Sequence, residues 1–111
     1  MRKIAKLNKS KDGIKRLMIY ETNSEGTFLF GYDKEEDGPC CFDCCLSDIE
    51  SAYEQAEIDY GIRMDDWIEI SDPIDGCQDD WINPVRVKGR NIGKPEWGSF
   101  EKQENGEWVK I

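Results

Sequence analysis

The chain contains no histidine. That absence removes the Ser-His-Asp and Cys-His constellations of nucleophilic catalysis and takes imidazole out of any metal site. No Gly-rich phosphate loop, Walker sequence or dinucleotide fingerprint occurs either. Acidic pairs such as Asp65/Asp66 and Asp79/Asp80 are too numerous for any one to stand out as an acid–base couple. The chain therefore reads as a non-enzyme. No run approaches the roughly 18 apolar residues of a membrane-spanning helix. The basic stretch 1–16 has no apolar core, so a secretory signal is not expected and the cytoplasm is. There, five cysteines stand as thiols or metal ligands rather than disulfides.

What is present in excess is negative charge, unevenly placed. Residues 1–20 hold seven Lys/Arg against Asp12, and residues 85–111 hold six basic and four acidic groups. Between them, residues 21–84 carry nineteen Asp/Glu against Lys34 and Arg63, a net −17 within a total of −9. A charge run is usually a solvated face that keeps a protein soluble. The more specific reading is a surface for a basic protein partner, attracted through a field that salt screens. Nucleic acid is disfavoured as a partner of that segment, because phosphates would be repelled, and none is expected.

At 111 residues the chain is read as one domain, 1–111, large enough to bury most of its unfolded surface without a staple. Its one strong helical signal is Ser47–Gly61. Ser47 and Glu50 have capping-box spacing, and Ile49, Ala52, Tyr53, Ala56 and Tyr60 form one apolar stripe. Gly61 suits the left-handed residue that ends a helix. The rest reads as strands. Lys3–Leu7 is a short one, Lys11-Asp12-Gly13 a turn, and Arg16–Thr22 alternates Leu17 and Ile19 against Met18 and Tyr20. In Thr27–Asp33, Phe28, Phe30 and Tyr32 share a face, while Gly31 thins the other for the helix. Met64–Ile70 is a strand or a turn, and Val85–Val87 a short strand. Asn105-Gly106 between Trp97–Gln103 and Trp108–Ile111 predicts a two-residue hairpin with Lys102 opposite Val109. The expected fold is α+β: a mainly antiparallel sheet of four to six strands, one helix over about 47–60 packed on it, and a C-terminal β-hairpin.

Two stretches could carry chemistry. In Cys40-Cys41-Phe42-Asp43-Cys44-Cys45, Cys41 and Cys44 have C-x-x-C spacing, and Cys40 or Cys45 adds a third thiolate. A tetrahedral zinc site would then need Cys77 or Asp43 as its fourth ligand. A thiol-redox role asks for a depressed thiol pKa, which Asp43 opposes. The plain alternative treats cysteine as a small hydrophobe wedging Phe42 into the core, with at least one thiol left accessible. No cofactor is implied beyond that alternative zinc.

The second stretch is the long acidic loop 72–84, whose length in a compact domain is itself a functional signal. It lacks the spacing of an EF-hand. Acids alternate there with an aromatic anchor, the composition of an interface. The candidate partner-binding residues are Asp72, Asp75, Asp79, Asp80 and Trp81, with Glu35, Glu36 and Asp37 as a second acidic lobe.

Gly26-Thr-Phe-Leu-Phe-Gly-Tyr-Asp33, Glu54-Gln-Ala-Glu-Ile-Asp-Tyr-Gly61, Gln78-Asp-Asp-Trp-Ile-Asn-Pro84 and Gly106-Glu107-Trp108 together resemble a group of small uncharacterised bacterial proteins. In size and acidity the chain is similar to immunity proteins of bacterial toxin–immunity systems. That resemblance implies inhibitory binding rather than catalysis and carries no functional residue over.

Overall fold

The computed structural model describes all of residues 1–111. The chain runs β1 (Arg2–Lys11), β2 (Ile14–Glu21), β3 (Thr27–Tyr32), β4 (Phe42–Leu46), α1 (Ile49–Tyr60), β5 (Ile68–Ile70), β6 (Val85–Val87), β7 (Phe100–Glu104) and β8 (Glu107–Lys110). Five strands form an antiparallel sheet in the order β4-β3-β2-β1-β5, and three form a second, β6-β7-β8. The α+β expectation holds, with the strands divided between two sheets rather than gathered in one.

β2 explains the architecture of the large sheet. Along Ile14–Glu21 five of eight residues are buried, four of them in the consecutive run Arg16–Ile19, although alternate side chains point to opposite faces. Both faces must therefore be covered. On one, Ala5, Leu17, Ile19 and Leu29 pack with Ala52 and Ala56 of α1 and with Ile62 beyond it. The two alanines let the helix approach closely, and Ile49, Tyr53 and Tyr60 complete its stripe. On the other face Met18, Phe30 and Tyr32 make a second cluster, joined by Ile4, Tyr20, Phe28, Cys40, Ile70 and Ile82.

Local signals decide the ends of the elements. Asp48, not Ser47, caps α1: its backbone is extended and its Oδ1 accepts from the Ser51 amide at 2.8 Å. Ser47 lies one residue too early to reach the first orphan amides. Hydrogen bonding from the Ser51 side chain, and then from its amide, holds the Asp48 carboxyl below its usual range. Gly61 closes the helix at φ 71° with its N–H on the Glu57 carbonyl. Asp12 and Gly13 both take positive φ, the geometry of a tight primed turn, so β1 runs on to Lys11, well past Leu7.

Gly31 does sit on the helix side, but a side chain from β4 covers it. The Phe42 ring lies where a Gly31 methyl would be and stacks on Tyr60 of α1, centroids 6.2 Å apart. At the C-terminus Asn105-Gly106 makes the expected turn, with Lys102 paired to Val109. β7 begins only at Phe100, which leaves Trp97 outside the strand and exposed. Met64–Ile70 resolves into a 3-10 turn at Met64–Asp66 and the short edge strand β5.

Candidate functional site

The second face of the large sheet is covered by a pinned loop instead of a helix. Residues 71–84 contain no regular element, yet they are fixed by one buried side chain from β1. Arg2 is 2% exposed. Its Nε donates to the Ser71 carbonyl at 2.8 Å. Nη1 donates to the carbonyls of Asp79 at 3.0 Å and Trp81 at 2.6 Å, and Nη2 to that of Ile82 at 3.3 Å. An irregular loop has carbonyls that no ladder satisfies, and a guanidinium, with five donors in a rigid fork, suits several at once. Burial pulls the Arg2 pKa down from its ordinary value, and the charges of Asp72 and Asp37 oppose that.

Two carboxylates and a phenol tie this loop to its neighbours. Asp37 Oδ1 and Oδ2 accept from the amides of Ile82 and Asn83, both at 2.8 Å. Asp80 Oδ2 accepts from the Cys40 amide at 3.0 Å. The Tyr32 hydroxyl donates to the Asp80 carbonyl, and burial raises its pKa. Hydrogen bonds therefore tie the loops 33–39 and 71–84 to each other and to the sheet.

The predicted contact residues accordingly divide. Asp37 and Asp80 commit their carboxylates inward, as latches between loops. Asp79 is half-buried, and desolvation next to Asp80 raises its carboxyl pKa. Glu35, Glu36, Asp72 and Asp75 are exposed, with Asp72 3.0 Å from the Met1 ammonium. Half-buried Trp81 lies where three clefts meet. One, of about 460 Å³, includes Asp72 and Ile74. A second, also about 460 Å³, reaches Phe100 and Ile111 of the small-sheet region. The third, about 380 Å³, contains Asp33, Glu36, Cys40 and Cys41. The two acidic lobes thus converge on Trp81. Asp75 stands apart, in a cleft with Cys77, Arg86 and Arg90, where Arg86 stacks on Trp108 and pairs with Glu101 at 2.7 Å.

From Phe42 onward the cysteine segment is a strand and not a ligand loop. Alternation along β4 turns Phe42, Cys44 and Leu46 toward α1, where all three pack on its core. Asp43 and Cys45 turn the other way and are exposed. Cys40 lies on the second face, in contact with the Met18, Phe30 and Tyr32 cluster. No three of the chain's Cys, Asp and Glu side chains converge as a metal-holding group, so Cys40, Cys41, Cys44, Cys45 and Cys77 do not fit the zinc alternative. All five are free thiols. Burial and the nearby Asp80 push the Cys40 thiol up to about 12. Desolvation also raises Cys44, beside Asp43, and Cys77. These shifts run opposite to those of a reactive nucleophile. Cys41 and Cys45 are the exposed thiols.

Sequence reasoning missed Arg2 and Arg16, which sit in β1 and β2 among residues that look like a basic solvated edge. Arg16 is 1% exposed. Its guanidinium lies over the Tyr32 ring at 3.9 Å, and Nη2 donates to the Glu36 carbonyl at 3.2 Å. Its Nε and Nη1 have no hydrogen-bond partner. The available signal was alternation: Arg16 shares a face with Met18 and Tyr20, and Arg2 with Ile4. Comparison with protein-family models, with curated proteins and with solved structures finds no match.

Proposed function

We propose that this chain is a non-catalytic binding domain that masks a basic protein partner, in the manner of an immunity-type inhibitor. The observation that carries the reading is a half-buried tryptophan between two acidic loops that hydrogen bonds tie to each other and to the sheet. Arg2, Asp37 and Asp80 fix the backbone around Trp81, so binding there loses little loop entropy. Glu35, Glu36 and Asp72 supply an exposed acidic rim. Central aromatic anchor and charged rim is the arrangement in which binding energy concentrates. The rim sets attraction and rate, and the anchor sets residence time.

The test is crosslinking in the host cell followed by binding measurements on the partner so identified. A basic partner should lose at least about tenfold in affinity between roughly 50 and 500 mM salt. Trp81→Ala should slow nothing at encounter but accelerate dissociation, whereas Glu35→Gln/Glu36→Gln should chiefly slow association. A partner whose affinity ignores both salt and these variants refutes the reading.

A further inference from the structure

Each open sheet has edges, and natural proteins blunt them with proline, lysine, bulges, short length or a covering segment. β5 ends one side of the large sheet and is only three residues long. β4 ends the other and is unprotected. It pairs with β3 in unbroken register from Thr27↔Leu46 to Gly31↔Phe42, with no bulge. Phe42–Leu46 contains no proline and no lysine. No hydrogen bond reaches its outer side from elsewhere in the chain. Every second residue of such a strand directs its amide and carbonyl outward, where another strand can take them.

The surroundings select what can be added. Asp43 and Cys45 are exposed on the face away from α1, and Asp48 and Glu50 follow directly. The start of the strand opens into the Trp81 cleft, since Cys40 and Cys41 line it together with Asp33 and Glu36. A second copy of this chain would bring another net −9 to the same edge. A segment with Lys or Arg at alternate positions would instead place cations over Asp43 and run on toward the acidic rim.

We infer that the outer edge of β4 receives an extended lysine- or arginine-bearing segment of the partner as a sixth strand of the large sheet. This rests on the binding reading above and specifies its geometry: main-chain pairing along β4, with one end of the segment reaching Trp81.

The probe is a capped peptide of alternating lysine and valine, about seven residues long to match β4 and its flanks, added to the full chain at low salt and followed by amide NMR and hydrogen exchange. Slowed exchange confined to alternate amides within Phe42–Leu46 is expected. Two further peptides carry N-methyl groups on one or the other set of alternate residues. One set should lose at least about tenfold in affinity and the other little, because only one set faces β4. Asp43→Lys, at an exposed position, should also lose at least about tenfold. Binding that perturbs only residues 33–37 and 71–82, and ignores both methylation patterns, overturns the edge while leaving the basic-partner reading standing. Concentration-dependent protection of β4 without peptide assigns the edge to a second copy and also overturns the proposal. Absence of any peptide binding overturns it too, and failure of the crosslinking test then removes the reading beneath it.

Discussion

Arg2→Met removes the four hydrogen bonds that pin residues 71–84 while keeping an unbranched side chain of similar reach. Its magnitude follows from those bonds, at 2.6, 2.8, 3.0 and 3.3 Å. A hydrogen bond to a charged group contributes about 1.5–3 kcal/mol net, so four give a gross loss of about 6 kcal/mol at the lower figure. Two effects offset it: methionine relieves the desolvation of a buried cation, and carbonyls of a loosened loop can return to water, leaving about 3 kcal/mol. For a chain of this size that is a fall in Tm of roughly 12 °C. Urea unfolding followed by tryptophan fluorescence measures the loss, and amide exchange locates it, with residues 71–84 exposed before β2 and β3. Arg2→Lys keeps the charge but not the fork, and should recover about half of the loss or less. If Arg2→Met unfolds within about 0.5 kcal/mol of the parent and loop exchange is unchanged, the loop is held by its apolar contacts and Arg2 is not its pin.

Arg16 should behave in the opposite way. Two of its buried nitrogens have no partner, so Arg16→Met, despite losing the contact over Tyr32, should change stability by less than about 1 kcal/mol or raise it, as measured by the same urea midpoints. Gly31→Ala forces a methyl into the Phe42 ring and should cost about 1–3 kcal/mol; a double-mutant cycle with Phe42→Leu should return part of that, and strict additivity would refute the steric account. Cys41 and Cys45 should react rapidly with a disulfide reagent near pH 8, ahead of Cys40, Cys44 and Cys77, whose thiols burial has raised. For Cys40 the folded pKa of about 12 lies above the unfolded value of about 8.5. Its contribution is complete below about pH 8.5 and is lost as pH climbs toward 12, so Cys40→Ala should flatten the alkaline fall in stability.

Elements defined by nearest neighbours in sequence were legible. The α1 stripe needs only helical spacing, and Gly61 and Asn105-Gly106 need only positive φ, so all three could be read before any tertiary contact was known. Where two local signals competed, the sequence was ambiguous. Ser47 and Asp48 both cap well, and backbone extension at Asp48 decided between them. In β4, cysteine spacing suggested ligands, but period-two alternation makes the same residues a half-buried edge strand. Two sheets could not be told from one, because strand partners are set by loops whose closure composition does not encode.

The acids at the candidate site show where such reading must stop. Asp37 and Asp80 are chemically the same as Glu36 and Asp72, and all four lie in turn-rich, negatively charged segments. What separates a latch from a rim is whether unpaired amides lie within reach: Ile82 and Asn83 offer theirs to Asp37, Cys40 to Asp80, and no amide reaches the Glu36 carboxylate. That choice depends on the path of loop 71–84, which depends on Arg2, some seventy residues earlier in a segment that looks like solvated base. Charge in this chain therefore has two functions that composition adds together. One part of the acid, with buried Arg2, builds the scaffold. The remainder lies exposed around Trp81 and along β4, Asp72 resting against the Met1 ammonium, and is the part the proposed partner would meet.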